Sequence, residues 1–554
     1  MNYNKIIALG AISTALFSAC SDLDLHYQGG TVDEEQLSET IEAVPSRVNS
    51  SISGMYAILN TPYSFFGASN GRADDFGYPC VAMGQDMNSA DMVNPVSDYD
   101  WFSPALEWSD RTPTYANPQI RLGLFYKTIY AANDALSSMP DGEIQNAELR
   151  AKRGQARAMR AWSYLSLAPY FQFKYVGHED SLSVPLVLGG SEEDPRNNPR
   201  VPLRALYNQM MIDIDGAIED LEGFNRASKD VIDVNVAYGI RARIHLNKEE
   251  WAEAAADAES ALAGYEPYTL AEIQSKTPGF YNASDHNWIW ALLLPKEIVG
   301  EELGSWPSQL GSFSGNAYAP YAGIYRSINK LLYDKIPADD VRKDWWLNED
   351  TMSVYLKDLS WTDEQKSITY LDKSVATCKI ADVKEPMYPY ANVKFGQLDG
   401  IGSPYNHGDW CMMRAEEMIF IMAEATAKAG NLGKGKQILE DFVKNNRQPS
   451  YSVTASDLES FSNEVWKQRR IELWGEGFAM FDVMRLGKPV VRFIEGRETN
   501  VPEMYQFNID SNDPWMLLRF VTKEMTNNAA MVNNEGGQQP KQGDGKELRD
   551  GVTD

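Results

Sequence analysis

Two segments of the sequence interleave aromatic residues with short polar side chains. They are residues 72–108 and residues 306–325. An aromatic plane with amide, carboxylate or guanidinium groups at its edge suits a ligand with an apolar face and a rim of hydroxyls, and a sugar ring has this chemistry. The two segments therefore contain the candidate ligand-binding residues, which are Arg72, Tyr78, Asn94, Tyr99, Trp101, Trp306, Tyr318 and Tyr321.

The aromatic residues of these segments are not equally good candidates. Trp101, Tyr318 and Tyr321 are flanked by small or polar residues, which favours an exposed ring. Phe102 and Trp108 adjoin proline or helical sequence and are expected to pack inside. For any single ring, packing of the loop onto the rest of the protein is an equally good interpretation, because aromatic side chains also fill ordinary cores.

Patterns that resemble catalytic motifs fail on spacing or context. Gly430–Lys436 has the spacing of a phosphate-binding loop, but Gln437 stands where magnesium coordination requires Ser or Thr. The adjacent carboxylates Asp74 and Asp75 invite comparison with a glycosidase, but adjacency in sequence does not place an acid and a nucleophile about 5 Å apart. We expect both side chains to lie on a solvated loop face. We predict no catalytic residue, no cofactor and no metal ion, although residues 86–100 leave calcium binding open.

Composition and charge exclude several other functions. The 554 residues include 51 Lys and Arg against 78 Asp and Glu, which gives a formal net charge of −27. Phosphate backbones would be repelled by this charge, so nucleic acid is not an expected partner. With 43% hydrophobic and 23% charged residues, the chain has the composition of a globular protein with a substantial core.

The first 20 residues resemble an export signal. Lys5 precedes an apolar run, Ile6–Ala19, which ends at Cys20. As a helix this run would rise only about 21 Å, too short for a hydrocarbon core of about 30 Å. Residues 1–19 are therefore predicted to be a signal peptide, and Leu16–Cys20 resembles a bacterial lipobox with Cys20 as the lipidated residue. A plain secretory signal with an incidental cysteine is the alternative.

The other cysteines do not form a disulfide framework. Cys80, Cys378 and Cys411 allow at most one disulfide, and the sequence leaves open whether any pair of them forms one. Cys411 begins an apolar helical pattern, so we expect its thiol to be buried in the core.

Helical periodicity dominates the chain, and the helices occur in pairs. Residues 119–264 and 411–446 contain these pairs, with turn signals such as Gly430-Asn431 between helices. Because such helices cannot bury their apolar faces alone, several pairs must stack, as in tetratricopeptide repeats. The spacing of apolar residues predicts helices over 120–136, 147–167, 206–221, 234–247, 251–263, 412–429 and 433–445.

The regions between the helix pairs differ in composition. Residues 60–118 and 265–410 are rich in Gly, Pro, Asn, Asp and aromatic residues, and their only strand-like runs are Trp288–Leu294 and Asn392–Phe395. We expect these regions to form a loop-rich lobe, because binding residues usually lie on loops held by a rigid scaffold. Residues 533–554 have no apolar anchors and are predicted to be a disordered tail.

Three segments carry recognisable motifs. Residues 464–488, within a C-terminal helix motif predicted over 462–490, read EVWKQRRIELWGEGFAMFDVMRLGK. Residues 412–430 and Asp340-Val341-Arg342 supply a second helix and an Asp-x-Arg element. Together they resemble the SusD/RagB-like family of Bacteroidetes outer-membrane nutrient-uptake lipoproteins. The residues that hold the expected places in the C-terminal motif are Arg470, Glu472, Glu476, Gly477, Asp482 and Arg485.

We interpret the charged residues of the C-terminal motif as structural. Glu472, Asp482 and Arg485 lie about where a helix–turn–helix could tie its two halves by charge-assisted hydrogen bonds. The motif therefore predicts a packing role for these groups and no catalytic one.

The resemblance implies a mainly α protein, in which a tetratricopeptide-like helical repeat body and a loop-rich irregular lobe with the ligand site form one domain over residues 20–554. It implies a non-enzymatic, surface-exposed, glycan-binding lipoprotein anchored in the outer membrane by its lipid. The expected partners are an oligosaccharide or polysaccharide and a SusC-like TonB-dependent transporter, which receives the captured sugar. A peptide-binding module, or a purely structural lid of such a transporter, is the alternative.

Overall fold

The protein is mainly α, as the sequence predicts. The computed structural model describes residues 48–96, 100–139, 141–189, 194–275, 279–299, 303–312, 318–353, 367–370, 373–376, 387–400, 403 and 405–554. The predicted signal peptide, Cys20 and Cys378 lie outside these residues.

The helices fall into two groups along the chain. The first group is α1 (Asn49–Asn60), α2 (Tyr78–Asn88), α3 (Ser103–Glu107), α4 (Ala116–Ser137), α5 (Ala147–Phe171), α6 (Leu203–Leu221), α7 (Val234–Lys248) and α8 (Trp251–Leu262). The second group is α9 (Leu270–Ile273), α10 (Lys296–Val299), α11 (Trp306–Leu310), α12 (Tyr318–Ala322), α13 (Lys330–Tyr333), α14 (Ala415–Lys428), α15 (Leu432–Asn446), α16 (Leu458–Glu472), α17 (Ala479–Leu486) and α18 (Thr522–Asn527).

The long helices stack in sequence order to form the helical body. Helix α4 packs on α5, α5 on α6, α7 on α8 and α14 on α15, while α8 also packs on α14 and joins the two groups. Side-chain caps fix several of their starts. Asn146 accepts hydrogen bonds from the backbone N–H groups of Glu148 and Leu149 at the start of α5, and Asp233 accepts one from Val236 at the start of α7.

Small residues let α7 and α8 approach each other closely, as predicted. The alanines of the two helices that are fully buried are Ala237, Ala242, Ala254, Ala258 and Ala261. A Cβ added at Gly239 of α7 would lie 3.6 Å from the Cβ of Ala261 and 2.2 Å from the sulfur of Met413. The contact with Ala261 of α8 would be an ordinary one, so it is the side chain of Met413 in β8 that occupies the space beside Gly239.

The strands are short and form antiparallel pairs. They are β1 (Met92–Val93), β2 (Leu182–Pro185), β3 (Arg200–Pro202), β4 (Trp288–Leu292), β5 (Ser327–Ile328), β6 (Ser367–Tyr370), β7 (Lys373–Ala376) and β8 (Trp410–Arg414). The pairs are β1 with β5, β2 with β3, β4 with β8, and β6 with β7. The predicted strand near residue 288 is present, whereas Asn392–Phe395 makes only isolated bridges.

The start of the second predicted helix pair is wrong. Residues 410–414 form strand β8, and helix α14 begins only at Ala415. Strand β8 pairs with β4, where Leu292 lies opposite Trp410 and Trp288 lies opposite Arg414. A short, continuous apolar run has neither the helical nor the strand periodicity, so the boundary between a strand and the helix that follows it cannot be read from the sequence. The partner strand is also distant in the sequence. Cys411 is nevertheless a buried thiol, as predicted, and so is Cys80.

The predicted disorder of residues 533–554 is also wrong. The carboxylate of Asp550 lies 2.8 Å from Nη1 of Arg470 and accepts hydrogen bonds from the N–H groups of Val552 and Thr553. Asn534 donates hydrogen bonds to the carbonyl oxygens of Phe171 and Leu518. Polar contacts therefore attach the C-terminal segment, together with two apolar side chains, Leu548 and Val552, that pack into hydrophobic clusters.

A buried network of charges joins the family motifs. Glu472, at the end of α16, contacts three guanidinium groups, those of Arg414 at 2.9 Å, Arg447 at 2.8 Å and Arg342 at 3.2 Å. Burial alone would raise the pKa of Glu472, but Arg447 and Arg414 hold it well below its usual value. Arg342 also pairs with Asp340 at 2.6 Å. The Asp-x-Arg element and the C-terminal motif therefore meet in one ionic cluster.

The turn between α16 and α17 is tied as the motif predicts for Asp482 and Arg485. Arg469 of α16 and Arg485 of α17 lie 2.7 Å and 2.8 Å from the carboxylate of Asp482. Arg485 also contacts Glu424 of α14 at 2.8 Å. Glu472 differs from the prediction, because it links α16 to other parts of the chain and not to α17.

In the described part of the chain, no helix is both long enough and apolar enough to cross a bilayer.

Candidate ligand-binding rim

A short ladder brings together the two segments that hold the candidate residues. Strand β1 of the first segment pairs with β5, which follows the second, so that Met92 lies opposite Ile328 and Val93 lies opposite Ser327. The backbone N–H of Asn329 donates to the carbonyl oxygen of Asp91 at 2.9 Å. The middle of the first segment and the end of the second therefore lie next to each other, although the two are far apart in sequence.

A buried ion pair fixes the segments above this ladder. Nη1 of Arg326 lies 2.7 Å from Oδ2 of Asp100, and both side chains are 0% exposed. Asp100 also accepts a hydrogen bond from Nδ2 of Asn94 at 3.2 Å. Because buried charge pairs hold their geometry tightly, the residue after Asp100, Trp101, has a defined position relative to Arg326.

Trp101 is part of a small surface that we call the Trp101 platform, formed by Phe66, Arg72, Asp74 and Trp101. The guanidinium carbon of Arg72 lies 4.6 Å from the ring centroid of Trp101 and 5.0 Å from that of Phe66. Both nitrogens of one edge of Arg72 donate to the carboxylate of Asp74, at 3.0 Å and 2.7 Å. These cation–π and bidentate contacts preorganise the arginine between the two rings.

The platform keeps solvent access where a ligand needs it. Trp101 is half-buried, and the side chain of Arg72 is 17% exposed. Arg72 lies over one face of the indole, so a sugar ring would stack on the other face. The donors of the guanidinium that do not contact Asp74 can reach hydroxyl groups. The arrangement thus has the parts for recognising a carbohydrate and no nucleophile aligned with a base.

The two neighbouring carboxylates, Asp74 and Asp75, are not the solvated loop face expected from the sequence. Both are buried, and each orients a different part of the loop. Asp74 holds Arg72, whereas Oδ2 of Asp75 accepts the backbone N–H groups of Phe65 at 3.0 Å and Phe66 at 2.9 Å. Burial raises the pKa of Asp74 to about 6, against the opposing effect of Arg72, and burial also raises the pKa of Asp75.

Two of the predicted ligand-binding residues lie in the interior. Trp306 is 2% exposed. Its indole N–H donates to the carbonyl oxygen of Gly408 at 3.0 Å, and its ring packs edge-on against Phe395 and Trp410. Asn94 is 1% exposed and bonds to Asp100. Trp306 is therefore a core residue and Asn94 a support of the ion pair, and neither can reach a ligand from this position.

Tyr78 is also turned inward. It begins α2, and its ring lies 5.0 Å from that of Trp162 and 6.4 Å from that of Phe125, both in T-shaped geometry. Burial raises the pKa of Tyr78 above its usual value. The packing role predicted for Phe102 and Trp108 is confirmed, because both are fully buried.

The remaining candidates come from the second segment and from the tip of the first. Tyr318 is half-buried at the start of α12, and its backbone N–H donates to Oγ of Ser308 at 2.8 Å. Tyr321 lies on the same helix, but its side chain is outside what the structure describes, as is all of Tyr99. The structure thus keeps Arg72 and Trp101 together and leaves Tyr318 on the neighbouring element.

Sequence reasoning missed Phe66, Asp74 and Arg326 as parts of this rim. Phe66 precedes the segment that drew attention, although its position next to another aromatic in a Gly-rich stretch was a usable signal. Asp74 and Arg326 act by positioning other groups, and their partners cannot be read from local sequence. Within the described residues, no group of three or more His, Cys, Asp or Glu side chains is arranged to hold a metal ion.

The fold and the rim together define a class of protein, a helical-repeat body that presents an aromatic surface on inserted loops. The SusD family model matches residues 325–544. Comparison with curated proteins finds no match. The match over residues 325–544 and the fold comparisons described next support the resemblance to the SusD/RagB-like family seen in the sequence.

Several solved structures share the fold. A SusD-like carbohydrate binding protein from Bacteroides vulgatus ATCC 8482 is 22% identical, with 89% of this chain and 98% of that chain covered and a TM-score of 0.70. A SusD superfamily protein from Bacteroides thetaiotaomicron VPI-5482 is 19% identical, with 88% and 99% covered and a TM-score of 0.65. A laminarin binding SusD-like protein is 17% identical, with 89% and 99% covered and a TM-score of 0.59.

Proposed function

We propose that this protein is a surface-exposed lipoprotein that binds glycans without cleaving them. It captures an oligosaccharide at the Trp101 platform and delivers it to a SusC-like TonB-dependent transporter in the outer membrane. Two of the similar structures belong to proteins described as carbohydrate binding and laminarin binding, which supports this class of ligand.

The observation that carries the proposal is the stacked arrangement of Trp101, Arg72 and Phe66. The guanidinium of Arg72 lies within 5.0 Å of both ring centroids and is held from below by Asp74. A preformed plane with a fixed donor loses little conformational entropy when a sugar binds.

The carboxylates near the platform support binding rather than hydrolysis. Asp74 is engaged by both donor nitrogens of Arg72, and Asp75 accepts two backbone N–H groups. A retaining glycosidase needs an acid and a nucleophile that both face the sugar at about 5 Å. Carboxylates whose oxygens already accept these hydrogen bonds are poor candidates for the general acid or for the nucleophile.

Membrane attachment follows from the proposed acylation of Cys20. Each buried CH₂ of an acyl chain contributes about 0.8 kcal/mol, so several chains hold a large soluble body at the membrane surface. The transporter partner rests on the family resemblance alone. Co-purification with a TonB-dependent transporter from membranes of the native organism is the direct check.

The glycan-binding function is tested with Trp101→Ala. Affinity electrophoresis of the purified protein in gels that contain laminarin, starch or xylan should show retardation of the wild type in at least one gel. The substitution should weaken that binding by roughly tenfold or more, because it removes the stacking plane, and should leave the melting temperature nearly unchanged.

Trp251→Ala is the matched control. Trp251 of α8 is also half-buried and also lies against a cation, with Nζ of Lys428 4.4 Å from its ring centroid, but it belongs to the helical body. Its loss should leave retardation intact. Equal retardation of wild type and Trp101→Ala in every gel would contradict the assignment of the platform, and binding of peptides in place of glycans would support the alternative function.

A further inference from the structure

A second concave surface lies beside the Trp101 platform, on the outer face of α4. We call it the α4 groove. It has a volume of about 280 Å³, near the lower end of small-molecule sites. One face of α4 forms its floor, and the residues after β2 and those around α18 form its walls. Its lining includes Phe65, Gln119, Tyr126, Tyr130, Asn198 and Glu524.

The groove offers an exposed aromatic ring on a largely apolar lining, with a few polar groups at its edge. Tyr130 is 51% exposed, which is unusual for a large ring on a helix that otherwise packs in the body. Asn198 and Glu524 add an amide and a carboxylate to the rim. An aromatic plane with such groups at its edge is the same chemistry that the platform presents.

The walls of the groove are held in place without a ligand. The hydroxyl of Tyr126 donates to the carbonyl oxygen of Pro185 at 2.6 Å, which ties the floor to one wall. Asn198 and Asn528 exchange two hydrogen bonds, from the N–H of Asn198 at 3.1 Å and from Nδ2 of Asn528 at 2.7 Å, which tie the two walls together. The groove is thus preformed, a property that favours ligand binding.

The tip of one loop connects the groove to the platform. Phe66 contributes its ring to the platform, while the ring of the preceding residue, Phe65, lies on α4 and lines the groove. Asp75 holds the backbone N–H groups of both. Nζ of Lys127 lies 4.2 Å from the ring centroid of Phe65 and fixes that ring on the helix.

Glycine at position 123 of α4 makes room for this arrangement. A Cβ at Gly123 would lie 2.3 Å from Cε1 of Phe65, closer than atoms approach without displacement. The ring of Phe65 can therefore rest on α4 only because residue 123 has no side chain. Gly123 thus makes room for the ring of Phe65 between the Trp101 platform and the α4 groove.

From this continuity we propose that the α4 groove is a second subsite for the carbohydrate bound at the Trp101 platform. A glycan of several sugar units crosses the Phe65–Phe66 tip and contacts Trp101 at one end and Tyr130 at the other. The glycan makes the contact with the α4 groove when it is already bound at the platform. This second contact therefore raises the affinity for oligosaccharides long enough to reach the groove, and not for short ones. This inference rests on the proposed function and extends it to the length of the ligand.

The test compares ligand lengths. The purified full chain in detergent is titrated by calorimetry with disaccharides and octasaccharides derived from laminarin, amylose and xylan. Wild type should bind the octasaccharide of one series more tightly than its disaccharide. Tyr130→Ala should lower the octasaccharide affinity by roughly fivefold to tenfold and leave the disaccharide affinity unchanged, whereas Trp101→Ala should weaken both.

Two further variants complete the design. Ile212→Ala truncates another exposed apolar residue of the body, 66% exposed on α6, and should change neither affinity. Gly123→Ala should displace Phe65 and reproduce the length-dependent loss, with its fold checked by circular dichroism. If Tyr130→Ala and Gly123→Ala bind the octasaccharide as wild type does, the groove is not a subsite, while the platform function stands. If wild type binds none of the sugars, the proposed function fails together with the groove.

Discussion

The helical body and the loop-rich lobe both contain buried ion pairs, but they differ in the backbone elements that these pairs join. Arg160 of α5 and Asp213 of α6, which lie 2.6 Å apart, link two long helices. In the body, α7 and α8 meet through fully buried alanines, and burial of apolar surface stabilises the contact. In the lobe, short strands such as β1 and β5 are reinforced by buried ion pairs, of which Asp100–Arg326 and Asp91–Arg470 are the clearest. Apolar packing tolerates small shifts, whereas charge-assisted hydrogen bonds fix direction and distance. The candidate binding rim is thus placed by ion pairs between short segments, whereas in the body such pairs add to the packing of long helices.

The largest effect is expected at the point where the two regions meet. Glu472→Ala removes the one carboxylate that contacts all three buried guanidinium groups, those of Arg342, Arg414 and Arg447. The free energy of unfolding should fall by about 3–5 kcal/mol. Urea titration followed by tryptophan fluorescence measures this change.

A surface pair provides the control for that measurement. Lys546 and Glu495 lie 3.4 Å apart with most of each side chain exposed. Lys546→Ala should therefore change the free energy of unfolding by less than about 1 kcal/mol. Similar losses for both variants would mean that burial does not distinguish the two kinds of ion pair here.

The next effect concerns the rim alone. Asp100→Asn removes the charge that neutralises Arg326 but retains an acceptor oxygen, so the free energy of unfolding should fall by about 2 kcal/mol. Glycan affinity should fall as well, because Trp101 loses its fixed position. Gel retardation and urea titration of the same preparation separate the two effects. Unchanged affinity would show that the ion pair does not position the platform.

A smaller effect is expected from the C-terminal segment. Asp550→Ala removes one of two carboxylate partners of Arg470, and Asp91 remains at 2.6 Å. The free energy of unfolding should fall by about 1–2 kcal/mol. Glu535→Ala, an exposed position in the same segment, is the control. If Asp550→Ala is as stable as wild type, the contact between Asp550 and Arg470 does not hold the segment in place, and the disorder predicted from its composition would be the better description.

The smallest effect is a pH dependence at the platform. The pKa of Asp74 is about 6 in the folded protein against 3.8 ordinarily, so between about pH 4 and 6 the folded state binds a proton that the unfolded state does not. The stability contribution of this carboxyl therefore rises as the pH falls through that range. Glycan affinity should instead decrease below about pH 6, because a neutral carboxyl holds Arg72 less firmly.

The Asp74→Asn variant isolates this group from its charged neighbours Asp75 and Arg72. Its affinity should be lower than that of wild type at neutral pH and should not change between pH 7 and pH 5. Affinity measured by titration at several pH values makes the comparison. An equal decrease in both proteins would assign the titration to another residue.

The same contrast explains what the sequence could predict. Helices α4 to α8 and α15 follow from apolar spacing within each segment, and their ends differ from the predicted ones by a few residues. Strand β8 could not be recognised, because its partner β4 lies more than a hundred residues earlier and an apolar run of five residues fits a helix equally well.

The candidate site was predictable in outline and not in detail. Residues 72–108 contain Arg72 and Trp101, which the structure brings together, but the same reasoning selected Trp306, which is buried. Composition locates aromatic rings, whereas the direction of each ring depends on distant partners such as Arg326. The carboxylates Asp74 and Asp75 show the same limit, because their roles are defined by contacts that the local sequence does not encode.

The arrangement around Glu472 has a consequence for how the molecule opens. Its partners come from residue 342, residue 414 and residue 447, so the detachment of any one of these segments breaks a buried ion pair of the cluster. Transient partial unfolding of loops or helices alone is thereby suppressed. Amide hydrogens deep in α16 and near Arg342 should then exchange with deuterium through one shared global event, and proteases should find few intermediate cleavage products.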